Sequence, residues 1–357
     1  MASEDLDQGK AEAFASRMLD ILNGAGLAFM SSIGHQVGLF DTLARLTPSS
    51  SQQIAEAAGL NERYVREWLA AMVTGRIIDY DPAAGTYALP REHAASLVQA
   101  AGSRNMAAST LRIPFLSRVE EGIVESFRNG GGVPLGAFEG YQQLMADASR
   151  PRYDETLISR TLPLVPGLAP RLEAGIDVAE IGCGSGHALN LMAQAYPHSR
   201  MAGYDVDEEG IAAARAEADQ MGLSNCRFEV KDAAELEVSG RQYDFITAFD
   251  VIHDLVSPAT VLRGIAHALR PGGIFLMVDI AASSNLHENL DIPMGPFLYA
   301  NSTMRCMTVS LAEGGEGLGT MWGEQKARQM LRDAGFSGLE FKRVPGDLNY
   351  YCIADKG

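Results

Sequence analysis

Cysteine is scarce in this sequence, and the few cysteines do not pair by spacing. The 357 residues include four, Cys183, Cys226, Cys306 and Cys352. None belongs to a C-x-x-C pair, and none has a histidine partner at metal-ligand spacing. This spacing excludes a disulfide framework and a conventional zinc motif. We expect reduced thiols, a cytoplasmic protein and no bound metal.

Long apolar runs are also missing, and so is any excess of basic charge. The apolar stretch over residues 21–40 is interrupted by five polar residues, Asn23, Ser31, Ser32, His35 and Gln36. It is too polar for a membrane-spanning helix, and the acidic N-terminal residues do not fit a secretory signal. The formal net charge of -16 repels phosphate backbones and anionic lipid surfaces. We expect neither nucleic acid nor a membrane as partner.

The apolar content is high enough for a substantial core. Hydrophobic residues make up 46% of the chain and charged residues 21%. A chain of 357 residues is longer than one hydrophobic core usually organises. We expect a winged-helix dimerisation domain over residues 1–100, a helical connector over residues 101–171 and a ligand-binding domain over residues 172–357.

The N-terminal domain begins with an apolar helical pattern. Residues 11–46 predict two helices that meet near Asn23-Gly24. Their apolar faces are typical of a helical pair that packs on a second subunit.

A winged helix is predicted from the segment that follows. A short helix over residues 51–58 should end at Gly59, which suits a left-handed C-cap. A second helix is expected over residues 62–73. Strands over residues 77–80 and 86–89, joined by a turn, complete the pattern.

From residue 175 onward, strand-length apolar runs alternate with helical patterns. The predicted strands cover residues 177–181, 200–204, 227–230, 245–249 and 274–279. Such alternation is typical of a parallel sheet with helices on both faces. The last two strands, 338–344 and 349–354, are joined by a turn short enough only for an antiparallel hairpin. We therefore expect an α/β fold, a doubly wound Rossmann-like sheet with a terminal antiparallel hairpin, preceded by an α-rich winged-helix domain.

The chemistry begins where the first strand of this sheet ends. Glu180 is followed by glycines at alternate positions, Gly182, Gly184 and Gly186. Glycines let a ligand approach the backbone at the carboxyl edge of a sheet. His187 occupies the place of the third glycine in a dinucleotide fingerprint. Because a carboxylate ahead of the loop repels a pyrophosphate and attracts an ammonium, the pattern disfavours a nicotinamide oxidoreductase and favours a zwitterionic ligand without phosphate.

Two further acids follow the next two strands. Asp205 ends the second strand, 19 residues after Gly186, at a position where an acid accepts hydrogen bonds from ribose hydroxyls. Asp232 follows the third strand, where a carboxylate can accept from an adenine amine. Each acid alone could be a strand-end cap or a solvated side chain. Their succession at the ends of three strands indicates a nucleoside ligand.

These motifs, together with Leu269-Arg-Pro-Gly-Gly-Ile-Phe275, resemble the ordered motifs of class I S-adenosylmethionine-dependent methyltransferases. With the winged helix in front, the whole chain is similar to small-molecule O-methyltransferases of the caffeate and hydroxyindole type. The resemblance implies S-adenosylmethionine as cofactor, methyl transfer to a small, largely apolar molecule at a hydroxyl, and a homodimer formed through the N-terminal domain. The cofactor-binding positions that it implies are Glu180, Gly182, Gly184, Gly186, Asp205, Val206, Asp232, Ala233 and Phe249.

The same resemblance implies the catalytic residues. His253 follows the fourth strand and matches the family's catalytic histidine, and Asp279 matches the acid that orients it. The alternative role for His253 is structural, as a cap on the strand end. The sequence departs from plant members, because Met321 stands where they carry a second orienting glutamate. Apolar segments near the site give the expected substrate contacts, Tyr153, Phe297, Tyr299 and Trp322.

A winged helix is also a common reader of duplex DNA. The alternative function is therefore a DNA-binding regulator with a ligand-sensing Rossmann-like domain. Residues 41–100 hold five basic residues against seven acidic ones, which leaves little attraction for phosphates. The charge balance favours the enzyme.

Overall fold

The computed structural model describes residues 6–236 and 240–356, which fall into two compact units, Met1–Pro114 and Phe115–Gly357. Each unit has its own apolar core. Among the described residues, no helix combines the length and the apolar character that a membrane span requires.

The first unit is helical, with one small hairpin. Its helices are α1 (Gln8–Gln36), α2 (Leu39–Arg45), α3 (Ser51–Ala58), α4 (Glu62–Thr74), α5 (Arg91–Ala94) and α6 (Met106–Ser109). Strands β1 (Asp79–Asp81) and β2 (Thr86–Ala88) pair antiparallel. A capping box of Ser50 and Gln53 starts α3, and Asn61 caps α4, because these side chains bond the free N–H groups of a first turn. The predicted order of helix, turn, helix and hairpin is confirmed.

The prediction of two helices that meet near Asn23-Gly24 is wrong, because α1 runs unbroken through both residues. A glycine inside a helix costs about 1 kcal/mol relative to alanine but does not by itself end the helix. The break falls later, after Gln36. Gly38, with a φ of 71°, is the N-cap of the next helix, α2. Within α1, Gly34 has a packing role, since a Cβ there would lie 2.4 Å from the ring of Trp68.

The hairpin starts later than the sequence pattern predicts. Ile77 and Ile78 close the end of α4, because their N–H groups donate to the carbonyl of Met72. Ile78 is buried in the core of the unit. The strand pairing begins only at Asp79.

The second unit is an α/β domain. The chain enters it through α7 (Arg112–Ser117), and the helices that follow are α8 (Glu120–Asn129), α9 (Tyr141–Thr156), α10 (Leu168–Ala174), α11 (His187–Ala195), α12 (Glu208–Gln220), α13 (Pro258–Ala268), α14 (Gly295–Asn301), α15 (Met307–Ala312) and α16 (Glu324–Asp333). The strands are β3 (Asp177–Ile181), β4 (Arg200–Asp205), β5 (Cys226–Val230), β6 (Tyr243–Phe249), β7 (Leu269–Ile280), β8 (Gly338–Arg343) and β9 (Asn349–Asp355).

These strands form one sheet in the order β5-β4-β3-β6-β7-β9-β8. Strands β3 to β7 pair in parallel, and β9 pairs antiparallel with both β7 and β8. The predicted doubly wound α/β sheet with a terminal antiparallel hairpin is confirmed. Strand β7 begins at Leu269 rather than at Ile274, and a register shift against β6 separates its two parts.

The strand order reverses beside β3, which lies between β4 and β6. Open α/β sheets bind ligands in the crevice at such a switch point, at the carboxyl ends of the strands. The segments that follow β3 and β6 are in close contact there, since a Cβ at Gly182 would lie 2.3 Å from the side chain of Val251. The topology therefore brings the glycine loop and the His253 segment to one edge of the sheet.

Candidate active site

The glycine loop leaves open space at its centre. It connects β3 to α11, and Gly184 and Gly186 both have a positive φ, 51° and 72°. A Cβ at Gly186 would lie 2.5 Å from the Cβ of Ala214, so this glycine is required for packing. A Cβ at Gly184 would meet no atom within 4 Å. The loop is therefore tightly packed at Gly186, and its backbone is open to a ligand at Gly184.

Glu180, near the end of β3, has one carboxyl oxygen without a partner in the part of the chain that the structure describes. Its residue is 3% exposed, and its Oε2 atom has no hydrogen-bond partner among the described residues. Burial, and then the charge of Asp205, raise the pKa of Glu180 to about 8. A buried carboxylate oxygen without a partner is unfavourable unless a cation or a donor meets it. The site is therefore suited to a positively charged group.

Asp205 links the end of β4 to the glycine loop. Its carboxylate accepts from the backbone N–H of Gly184 at 2.7 Å and of Asp207 at 2.9 Å. Burial raises the pKa of Asp205. The carboxylate can still accept a hydrogen bond from a ligand, because a carboxylate accepts about four. The next residue, Val206, is 58% exposed and can cover a ligand that binds there.

The third acid is more open than the first two. Asp232 is exposed, and its Oδ1 accepts from the N–H of Ala234 at 2.8 Å, as the cap of a short 3₁₀ turn. Ala233, in the same turn, is buried. Both roles raised by the sequence, a cap and a ligand acceptor, are compatible with this geometry, because Oδ2 is left for a second donor.

Phe249 and Tyr153 form an aromatic pair at the end of β6. Their ring centroids are 5.7 Å apart. The guanidinium of Arg152 lies 5.3 Å from the Tyr153 ring and donates to Asp250 at 3.0 Å. Burial raises the pKa of Tyr153 to about 12, although Arg152 opposes the shift. Tyr153 was predicted to contact substrate, and this position places it beside the glycine-loop edge of the sheet.

His253 and Asp279 form a buried hydrogen-bonded pair. His253 Nδ1 lies 2.7 Å from Asp279 Oδ1, and the two residues are 4% and 0% exposed. Asp279 also accepts from the N–H of Ile280 at 2.8 Å and from Trp322 Nε1 at 3.1 Å. These bonds fix the carboxylate, and the carboxylate fixes the imidazole ring.

The opposite edge of the His253 ring faces a second carboxylate. His253 Nε2 lies 3.3 Å from Asp254 Oδ1. Burial disfavours the charged ring, but the carboxylates of Asp279 and Asp254 outweigh it and raise the pKa of His253 well above its ordinary value. The ring can therefore hold a proton that it receives at Nε2.

Of the three remaining predicted substrate residues, Trp322 contacts this pair. Trp322 is buried, and its indole N–H donates to Asp279. Its role is therefore to hold the His253–Asp279 pair rather than to line an open substrate pocket. The hydroxyl of Tyr299 accepts from Asn289 at 2.9 Å, and Phe297 is half-buried. A cavity of about 450 Å³ lies between α8 and α15, with Met307 in its wall, and none of the four predicted residues lines it.

Glu324, the acid closest in sequence to Met321, does not act as a second orienting acid for His253. Its carboxylate is paired with Arg328 at 2.7 Å and with Arg343 at 3.2 Å. Met321 is buried in a small apolar cluster with Leu298. The second carboxylate near His253 is instead that of Asp254, the next residue in the chain.

Two family models match the chain. Residues 25–99 match an Rv2258c-like winged HTH domain, and residues 172–335 match a methyltransferase domain. The arsenite methyltransferase of Aquipseudomonas alcaligenes is 30% identical over 158 residues, which are 40% of this chain and 46% of that protein. The chain spans about half the length of the curated relatives that it matches.

Solved structures resemble the entire chain in fold. Human N-acetylserotonin methyltransferase in complex with S-adenosylmethionine has a TM-score of 0.71 at 17% identity, over 100% of both chains. The mitomycin 7-O-methyltransferase MmcR has a TM-score of 0.70 at 18% identity, over 98% of this chain and 100% of that chain.

The matches over the second unit identify an S-adenosylmethionine-dependent methyltransferase domain in this chain. The residues of this methyltransferase fit the cofactor of the family. Glu180 offers an unpaired buried oxygen for an ammonium, Asp205 keeps lone pairs for hydroxyls, and the backbone at Gly184 is open. The individual roles of these side chains stay predictions.

Sequence reasoning missed a polar network that ties three helices of the methyltransferase together. His187 lies between Asp154 of α9, at 2.8 Å, and Glu217 of α12, at 2.9 Å. Arg150 adds a bond to Glu217 at 2.6 Å. His187 is therefore a structural residue behind the glycine loop. Because the partners lie 30 or more positions from His187, no local motif could have found them.

Cys306 was also missed as a site residue. It is buried close to His253 and Asp254, and side-chain atoms of the three residues lie within 4.8 Å of one another. It belongs to one turn of π-helix, Ser302–Cys306, between α14 and α15. Such turns are frequent at functional sites, but no local sequence pattern indicates this one.

Proposed function

We propose that this methyltransferase transfers the methyl group of S-adenosylmethionine to a hydroxyl of a small, largely apolar molecule, with His253 as general base. The bond of 2.7 Å between His253 Nδ1 and Asp279 Oδ1 carries the proposal. It leaves Nε2 as the ring atom that can receive a proton. A phenol is the hydroxyl compound that suits such a base best. Its pKa of about 10 keeps it neutral at physiological pH, but lies closer to the pKa of an imidazole than that of an aliphatic alcohol does.

S-adenosylmethionine, when bound, supplies an electrophilic methyl group that the hydroxyl oxygen attacks. In the neutral ring, Nδ1 carries the hydrogen that Asp279 accepts, so the lone pair lies on Nε2. Nε2 takes the hydroxyl proton while the new C–O bond forms and the C–S bond breaks. The carboxylates of Asp279 and Asp254 then stabilise the imidazolium. Most of the acceleration is expected from positioning, with the base adding about 10²- to 10⁴-fold.

The cofactor is expected at the edge of the sheet formed by the ends of β3, β4 and β5. We assign its ammonium to Glu180, its ribose hydroxyls to Asp205 and its adenine amine to Asp232. The exposure of these acids rises in that order, from a buried Glu180 to an exposed Asp232. This gradient suits a ligand whose charged end lies deep and whose base lies near the surface.

We also propose that residues 1–100 form the dimerisation domain, that residues 101–171 connect it to the catalytic domain, and that residues 172–357 hold the cofactor. All residues from 12 to 26 in α1 are exposed, including several large apolar side chains. A helix with apolar side chains exposed to water is a candidate interface. A second copy of this chain is the proposed partner.

The alternative of a DNA-binding regulator has less support. In α4, the helix that would enter a groove, Arg63 pairs with Glu67 and Arg66 lies 3.4 Å from Glu62. Each arginine charge is therefore compensated within the helix. Phosphate attraction supplies most nonspecific DNA affinity, so little affinity for duplex is expected.

His253→Ala tests the proposed function. Methyl transfer is measured with isotopically labelled S-adenosylmethionine on a panel of phenols and aliphatic alcohols. We expect kcat to fall about a hundredfold or more, while affinity for S-adenosylhomocysteine stays within about twofold. His287→Ala is the matched control, because that side chain is 78% exposed. A loss of only a few fold across the pH range would contradict the role as base.

A further inference from the structure

We propose that His253 Nε2, Asp254 Oδ1 and Cys306 Sγ form a site for a zinc-class divalent cation, and that an ion bound there removes the base from catalysis. The three atoms come from two segments, the 3₁₀ turn Ile252–Asp254 and the π-helical turn Ser302–Cys306. The metal site stands on its own geometry, and only the inhibitory effect rests on the proposed function.

The spacing of the three atoms suits tetrahedral zinc. One donor atom from each of the three residues lies within 4.8 Å of the other two, and His253 Nε2 is 3.3 Å from Asp254 Oδ1. Zinc bonds of about 2.0 Å to nitrogen and oxygen and about 2.3 Å to sulfur place tetrahedral ligands roughly 3.3 to 3.6 Å apart. One pair already has this separation, and the others need to approach by about 1.3 Å at most. Nitrogen, sulfur and carboxylate donors are the set that zinc prefers.

The histidine is oriented as a metal ligand is. Zinc-binding histidines donate their other ring N–H to a carboxylate, which fixes the tautomer and points the free nitrogen at the ion. Here Asp279 accepts from Nδ1 at 2.7 Å, and Trp322 and the Ile280 N–H hold that carboxylate in turn. The arrangement that prepares His253 as a base also prepares Nε2 as a ligand.

The carboxylate oxygen in the site lacks a proper donor. Asp254 Oδ1 is buried and accepts no hydrogen bond within the described ranges, although Nε2 lies only 3.3 Å away. A buried oxygen of this kind calls for a cation. A divalent ion between the two atoms would satisfy both.

The sulfur is surrounded by donors. Thr320 Oγ1 donates to Cys306 Sγ at 3.1 Å, and Asn301 Nδ2 donates to it at 3.6 Å. Asn301 is itself held through its Oδ1 by the hydroxyl of Tyr141 at 3.0 Å. A sulfur that accepts two hydrogen bonds is placed as a metal-bound thiolate is, with its charge balanced by the surrounding dipoles.

An ion in this site competes with proton transfer. The lone pair of Nε2 either accepts the hydroxyl proton or binds the metal. With three protein ligands, a fourth position stays open for water. We therefore expect inhibition by stoichiometric zinc that a chelator reverses.

Cobalt(II) serves as the spectroscopic probe of the whole chain, after removal of adventitious metal with EDTA and dialysis. We expect one equivalent to bind, with visible bands of four-coordinate cobalt and a near-ultraviolet thiolate-to-cobalt band. Cys306→Ser should abolish the thiolate band and weaken cobalt binding more than about a hundredfold. Substitution of residues that only hydrogen-bond to metal ligands already lowers metal affinity about 10- to 100-fold. Cys226→Ser is the control and should keep the spectrum, because Cys226 is a half-buried residue bonded to Asn190.

Asp254→Asn supplies a second variant that preserves shape if Cys306→Ser does not fold. It should weaken cobalt binding at least about tenfold. Absence of a thiolate band in the parent chain, or its persistence in Cys306→Ser, overturns the metal site. Cobalt binding with the expected spectrum but without inhibition of methyl transfer leaves the metal site standing and overturns the role of Nε2 as base. The failures of the two proposals are thus distinguishable.

Discussion

The two carboxylate oxygens of Asp279 have different partners. Oδ1 lies 2.7 Å from His253 Nδ1, and Oδ2 accepts a hydrogen bond from Trp322 Nε1 at 3.1 Å. In its neutral form the imidazole therefore has one preferred tautomer, with hydrogen on Nδ1. Correct function of the base depends on that tautomer, because only then does Nε2 carry the lone pair.

Asp279→Asn should therefore impair methyl transfer strongly. The asparagine amide can present an N–H to Nδ1, which moves the ring hydrogen to Nε2 and removes the acceptor. We expect kcat to fall about 10²- to 10⁴-fold, with S-adenosylhomocysteine affinity nearly unchanged by calorimetry. Trp322→Phe removes one bond to Asp279 but keeps its charge, so its loss should be smaller. Equal kcat in Asp279→Asn and in the parent would refute the orienting role.

Glu180 predicts a proton-coupled cofactor site. Its pKa of about 8 in the ligand-free protein means that the carboxyl is mostly neutral at pH 7. An ammonium favours the carboxylate, so binding should release close to one proton. Affinity for S-adenosylhomocysteine should fall as pH drops below about 8, towards tenfold per unit. Calorimetry at pH 7 in buffers of different ionisation enthalpy counts the protons. The same proton release from Glu180→Gln would contradict the assignment.

The same shift has a consequence for stability. The folded pKa of about 8 lies above the ordinary value of 4.5, so the folded state binds more protons between these values. Ionisation of Glu180 therefore lowers the stability progressively as pH rises from about 4.5 to about 8. Glu180→Gln should raise the Tm of the ligand-free protein, most of all above pH 8, while it weakens cofactor binding. A Tm that does not rise in alkaline buffer would indicate that solvent reaches the carboxylate.

Asp205 should contribute to cofactor affinity directly and through the loop. Its carboxylate already bonds the N–H groups of Gly184 and Asp207. Asp205→Ala removes the predicted ribose bonds, at about 1.5 to 3 kcal/mol for bonds to a charged group, which is about ten- to over a hundredfold in Kd. Asp207→Ala, which loses only the cap on α12, is the control. Calorimetry with S-adenosylhomocysteine should separate the two, and equal affinities would refute the ribose assignment.

The sheet was predictable because its signals are local. Strand β3 has the predicted bounds, since five apolar-rich residues between turns leave little choice. Caps and glycines likewise placed α3 and α4 correctly. The continuity of α1 was not predictable, because Gly24 is compatible with either a break or a continuous helix. The residue on which Gly34 packs, Trp68, is 34 positions away in the sequence, so it leaves no local signal.

The site was predictable only where motif and strand end coincide. Glu180 and Asp205 lie at the ends of β3 and β4, and His253 follows β6. Parallel strands bring their carboxyl ends to one edge of the sheet. Cys306, Trp322 and Arg152 reach the same region from helices and loops whose positions depend on tertiary packing. Trp322 and its partner Asp279 are 43 positions apart in the sequence, and Arg152 and its partner Asp250 are 98 positions apart. A single sequence holds no local signal for such pairs.

Helix α1 predicts the oligomeric state. Phe14, Met18, Leu22, Phe29 and Ile33 recur at helical spacing, and each is between 38% and 69% exposed. They form one apolar stripe along the helix, so we expect a homodimer at micromolar concentration. Leu22→Glu places a charge in the middle of the stripe and should shift the chain to a monomer.

Light scattering on the full chain measures the change, with circular dichroism to verify that the helix content is kept. Ser16→Glu is the matched control, because about 100° per residue places Ser16 well outside the stripe on the same helix, and it is also exposed. This variant should remain dimeric, since its charge stays in solvent. A parent chain that is monomeric at tens of micromolar would refute the dimer. Dissociation by both substitutions alike would indicate that added negative charge, and not the apolar stripe, controls assembly. The net charge of the chain is already -16.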